Sequence, residues 1–165
     1  MNQSRCPVSC YNRGMATIKR FEDIHAWQTA RELTNLVYQF TSGGEFGRDF
    51  ALRDQIRRLA NSVMLNIAEG LDSGSDSEFV RFLGYARRSA SEAQSALYTA
   101  LDQNYITKQQ FTIAYEKAQS SKRQINALIS YLTKSKTHSI KEPSAPYEIN
   151  LPQDDQLDYS DHSDQ

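Results

Sequence analysis

The chain has 165 residues, 24% of them charged and 39% apolar, with a formal net charge of -1. That suffices for one domain with its own hydrophobic core and is too little for two ordinary ones. The near-neutral total conceals opposite ends: residues 1–20 carry Arg5, Arg13, Lys19 and Arg20 and no acid, whereas residues 137–165 carry seven acids against Lys141. No run of about eighteen apolar residues is present and the N-terminal stretch lacks the apolar centre of a secretory signal, so a cytoplasmic protein is expected.

Residues 1–19 show no apolar periodicity and read as a disordered basic leader. Cys6 and Cys10 lie in it without a neighbouring histidine to complete a zinc-like ligand set, and read as incidental. Met15 opens Met-Ala-Thr-Ile-Lys-Arg and is a candidate start of translation, which the intact mass of the native protein tests.

Residues 20–136 carry four helical patterns. In the first, about Ile24 to Phe40, Ala26, Ala30, Leu33, Val37 and Phe40 recur at alternating spacings of four and three, and Ser42, Gly43 and Gly44 end it. Trp27, Arg31, Thr34 and Tyr38 flank that stripe as either core edge or contact surface. The second, about Phe50 to Glu69, turns Leu52, Ile56, Leu59, Val63, Asn66 and Ile67 inward, with Gly70 placed as a C-terminal cap. A buried Asn66 amide needs partners, because one unpaired group costs about 1–3 kcal/mol, and a polar latch between helices is expected.

Ser75-Asp76-Ser77-Glu78 reads as a capping box opening the third helix, whose inward positions are Phe79, Phe82, Leu83, Ala86, Ala90, Ala93, Leu97 and Leu101. After a short connection at Asn104 and Tyr105, Thr107 with Gln110 forms a second such box. It precedes Phe111, Ala114, Ala118, Ser121, Ile125, Leu128 and Leu132 of the fourth helix. Short connections, apart from the glycine-bearing loop 41–49, favour an all-α, antiparallel up-down-up-down four-helix bundle. Beyond Lys136 periodicity stops, and Pro143, Pro146, Pro152 and scattered aspartates make residues 137–165 an expected disordered acidic tail.

Three stretches carry a family resemblance: Phe21-Glu22-Asp23-Ile24 with Trp27 and Ala30-Arg31-Glu32-Leu33; Asp54-Gln55-Ile56-Arg57-Arg58 through Ser62-Val63 to Asn66-Ile67-Ala68-Glu69-Gly70; and Ser75-Asp76-Ser77-Glu78-Phe79-Val80-Arg81-Phe82-Leu83. With Ala86-Arg87, Ser89, Glu92 and Tyr105-Ile106, they make residues 20–134 resemble the four-helix bundle family named after proteins encoded in intervening sequences of bacterial 23S ribosomal RNA genes. The resemblance implies a homo-oligomeric ring, commonly a homopentamer, with no catalytic site. More distantly, the chain is similar to accessory proteins of diversity-generating retroelements, which bind nucleic acid and a reverse transcriptase through basic outer surfaces. The family's usual proline in the middle of the second helix is replaced here in Ser62-Val63-Met64-Leu65-Asn66-Ile67, and both termini lie outside the resemblance.

On a helical wheel Met64 lies about 100° from the core direction of the second helix and Leu65 about 160° to the other side, so one bundle cannot easily bury both. With Trp27 and Tyr38 they are the candidate oligomer interface, against the plainer reading that isolated exposed apolar residues are ordinary. Arg81 and Arg88 share the outer face of the third helix beside Arg87, and Arg53 and Arg57 share a side of the second beside Arg58; these six are the candidate nucleic-acid contacts. The competing reading pairs Arg58 with Asp54 and Arg88 with Glu92 along their own helices.

An enzyme is not expected: His25, His138 and His162 are scattered, no inward Glu-x-x-His motif exists for a di-metal bundle, and phosphate-binding glycine loops are absent. No cofactor or metal is implied. The expected function is a non-enzymatic, ring-forming bundle that binds structured RNA or DNA by shape, with a protein-binding adaptor for a client such as a polymerase as the alternative.

Overall fold

The computed structural model describes residues 18–137. The cysteines, Met15, His138, His162 and the acidic tail beyond Thr137 lie outside the described residues, as does the leader up to Thr17. A 3-10 turn at Phe21–Asp23 leads into α1 (His25–Phe40), followed by α2 (Gly44–Arg48), α3 (Phe50–Asp72), α4 (Asp76–Asp102) and α5 (Lys108–Thr137). Among the described residues there is no strand, and no helix is long and apolar enough to cross a membrane.

The four long helices close into a bundle in which α1 and α4 each pack against both α3 and α5. Every neighbouring pair is antiparallel. Arg57 reaches Thr41 while Asn61 reaches Tyr38; Ser62 meets Ser89 while Gly70 faces Phe79; Arg87 meets Asn126 while Gln94 meets Gln119. The predicted stripes supply the core: Ala30, Leu33, Val63, Ile67, Leu83, Leu97 and Ile125 are fully buried. Burial of each large aliphatic side chain contributes about 1.5–3 kcal/mol. Small residues dominate the inner face of α4, with Ala86, Ala90, Ala93, Ala96 and Ala100 buried, which lets α3 and α5 approach it closely. Phe40, Leu59, Phe82, Leu101 and Phe111 lie only half-buried at the core edge.

Several expectations are corrected. The 41–49 connection is not plain loop: α2 folds within it and carries Phe46 into the core, stacked on Tyr105 at a centroid distance of 5.2 Å. Gly70 is no cap, because α3 continues to Asp72; the glycine is buried where a Cβ would sit 2.7 Å from Phe79 Cδ2 and 2.8 Å from Phe82 Cβ. The Ser75 and Glu78 box does not form: Ser75 Oγ bonds Ser77 Oγ and Glu78 pairs with Arg81, although α4 still begins at the expected place. The second box does form, with Thr107 N–H donating to Gln110 Oε1 at 2.8 Å and Gln110 N–H to Thr107 Oγ1 at 3.2 Å. Asn66 bonds within its own helix, to Ser62 O and Oγ; the contact between helices is Ser62 Oγ to Ser89 Oγ at 3.0 Å.

Candidate functional site

The six candidate arginines separate into two groups. On α3, Arg53 and Arg57 are half-buried and turned toward the α1–α3 connection. Arg57 donates through Nε to Thr41 Oγ1 and through Nη2 to Thr41 O, both at 2.7 Å, with its guanidinium over the Tyr38 ring. Thr41 is the buried C-cap of α1, so this fork ties the end of α1 to the N-terminal half of α3. Arg53 donates to Gly47 O at 3.1 Å and to Asp54 at 2.7 Å. That hydrogen bond from Arg53 holds the Asp54 carboxyl below the usual aspartate range. Asp54 therefore pairs with Arg53 rather than with Arg58, which is exposed.

On the opposite side, Arg81, Arg87 and Arg88 of α4 come together with Lys122 of α5 around a groove of about 460 Å³, completed by Val80, Gly84, Tyr85 and Ser91. No acid lines it. Arg87 Nη1 donates to Asn126 Oδ1 across to α5 at 3.1 Å, and Lys122 Nζ donates to Gln94 Oε1 at 2.9 Å. These neutral partners orient the cations without cancelling them. Arg88 does not pair with Glu92: its guanidinium lies over Tyr85, 5.8 Å from the centroid, while Glu92 lines a different recess with Leu52 and Gln55 against α3. Arg81 alone is partly neutralised, by Glu78 one turn earlier. Gly84 sits in the floor, and a Cβ there would meet no atom within 4 Å.

Sequence reasoning reached the three α4 arginines and missed Lys122, which joins them only through the packing of α5 beside α4. The apolar candidates also divide. Met64 and Trp27 pack, half-buried, against the core cluster around Ile67 and Leu83, and Trp27 additionally meets Phe21 at 5.0 Å. Leu65, 64% exposed, and Tyr38, 44% exposed, line a second groove of about 710 Å³ on the α1–α3 side. There Arg57 and Arg58 are balanced by Asp54 and Glu69. Among the described residues no group of three His, Cys, Asp or Glu side chains is placed to hold a metal ion, and His25 is exposed beside Gln28.

A family model described as 23S rRNA-intervening sequence protein matches residues 22–127. No curated protein matches the chain. Among solved structures, a protein of unknown function from the S23 ribosomal protein family of Bacteroides thetaiotaomicron is similar, with a TM-score of 0.59 at 21% identity. The match covers 64% of this chain and 95% of that one, and it is a likeness of fold.

Proposed function

From the premise that the chain belongs to the 23S rRNA-intervening sequence protein family, we propose that it is a non-enzymatic bundle that binds structured nucleic acid through the α4–α5 groove and assembles with copies of itself. The observation that carries this reading is the convergence of Arg81, Arg87, Arg88 and Lys122 on one recess with no lining acid. Phosphates are the ligand such a surface suits, since each contact releases condensed counterions and needs no base-reading geometry. The groove is shallow and offers no element shaped for a base edge, so recognition follows backbone shape. Self-assembly raises the affinity further, because repeated grooves engage several phosphates at once. The resemblance to ring-forming relatives and the exposure of Leu65 support assembly.

The test is fluorescence anisotropy of a labelled RNA hairpin and a DNA duplex over a salt series, with the native chain and an Arg81→Glu, Arg88→Glu variant. Four phosphate contacts give a log-log salt slope of about 3–4 per subunit, and losing two lowers it by about 2. Solution mass and helicity must stay unchanged in the variant. Absence of binding by the native chain at low salt overturns the proposal. The second reading, a protein-binding adaptor, is favoured by the α1–α3 groove, where charge is balanced and Leu65 and Tyr38 offer apolar area. A Leu65→Glu substitution that abolishes partner capture while leaving mass and nucleic-acid binding intact would support it.

A further inference from the structure

We infer that the α4–α5 groove also seats the chain's own acidic C-terminal segment, residues 142–165, which competes there with nucleic acid; the inference rests on the reading above. Charge complementarity is its first support. The groove presents four cations and no lining acid, while residues 142–165 contain seven acids and no lysine or arginine. Four of those acids, Asp154, Asp155, Asp158 and Asp161, fall within eight residues.

Position is the second support. The contacts Arg87 to Asn126 and Gln94 to Gln119 set an antiparallel register between α4 and α5. In that register Arg81 stands at the level of about residue 132, roughly 8 Å along the helix axis from Thr137, the last described residue. The groove thus opens toward the end of α5 from which the acidic segment continues. From Thr137 to Asp154 is 154 - 137 = 17 residues. Such a length spans at most about 56 Å when extended, several times the distance required. Gly84 adds a third support: a floor without a side chain leaves room for an extended backbone to lie between Arg81 and Arg88.

A tether of this length gives an effective concentration on the order of 1 mM, so a segment with an intrinsic dissociation constant of about 0.1 mM weakens a competing ligand about tenfold. The experiment uses the full chain carrying Asp154→Asn, Asp155→Asn, Asp158→Asn and Asp161→Asn. Its affinity for a labelled RNA hairpin should rise about tenfold at low salt, with the gain vanishing at high salt. In parallel, a labelled peptide of residues 142–165 is titrated with this variant and with the same variant bearing Arg88→Glu. Salt-sensitive peptide binding that Arg88→Glu abolishes supports the inference. A peptide that does not bind, or binds both equally, overturns it and leaves the groove to nucleic acid alone. RNA affinity unchanged by the four asparagines overturns the competition while the nucleic-acid reading stands. Peptide binding in the groove without RNA binding to either chain overturns that reading while the docking stands.

Discussion

On α3, Arg53 and Arg57 direct their donors at the carbonyls of Gly47 and Thr41 in the connection they face, whereas on α4 Arg87 and Arg88 rest on an amide and an aromatic ring. A carbonyl held by a guanidinium fork is a structural contact that a phosphate cannot displace without exposing the end of α1. Arg88, lying over Tyr85, is exposed. The same residue type therefore fastens the fold on one side and stands exposed on the other. The glycines of these two helices repeat the contrast: Gly70 is enclosed by Phe79 and Phe82, and Gly84 faces open space.

The largest effect that tests this contrast is expected at Arg57. Arg57→Ala removes two charge-assisted hydrogen bonds and leaves the buried Thr41 without its fork, a loss of about 2–3 kcal/mol. The thermal midpoint, followed by far-ultraviolet circular dichroism, should fall by about 10 °C. Below the melt, nucleic-acid affinity should stay within about twofold. Arg57→Lys should recover little, since an ammonium cannot reproduce the fork, while Arg88→Lys should keep most of the binding because charge is what a phosphate contact requires. A destabilised Arg88→Lys, or an Arg57→Lys that melts like the native chain, would break the distinction between the two sides.

Next in size is Gly70→Ala. The new methyl would lie inside the contact distance of Phe79 Cδ2 and Phe82 Cβ, so one of the helices must shift. Overpacking of this kind costs about 1–3 kcal/mol, of which the better helix propensity of alanine returns about 1 kcal/mol. Urea unfolding should show a lower midpoint with the slope unchanged. A midpoint equal to that of the native chain would mean that the shift costs no more than the helix propensity of alanine returns, about 1 kcal/mol.

How much of this was legible depended on the range over which each interaction acts. The four long helices follow from apolar spacing within one helix, and Leu33, Ile56, Leu83 and Ile125 are buried where that spacing placed them. α2 escaped because a lone Phe46 among glycines has no periodicity to reveal it. The two capping boxes show a competition that a motif alone does not display. Glu78 has Arg81 one turn ahead and turns toward it, whereas Gln110 has the apolar Ile113 in the equivalent position and folds back to the Thr107 amide. Gly70 near the expected end of α3 looked like a cap because its actual constraint comes from the next helix. The arginines obey the same rule. Arg81 and Arg88 share a face by their spacing, but that Arg57 is occupied depends on a carbonyl sixteen residues away, and that Lys122 completes the groove depends on α5.

The smallest change in stability, and the sharpest on function, is expected at Gly84. Because nothing lies within 4 Å of a Cβ built there, Gly84→Ala is free of the clash that governs Gly70. Alanine lowers the backbone entropy lost on folding and should stabilise α4 by about 0.5–1 kcal/mol, raising the thermal midpoint by a few degrees. A larger Gly84→Leu should fold as well as the native chain, yet fill the floor between Arg81 and Arg88 and reduce nucleic-acid affinity about tenfold, which anisotropy reads directly. The stability gain and the binding loss then have opposite signs at one position. That combination identifies a helix glycine kept for what approaches it from outside, since internal packing at Gly84 asks for none. If Gly84→Leu binds as tightly as the native chain, ligand phosphates do not approach the groove floor, and the contact must be carried by the tips of the cations that rim it.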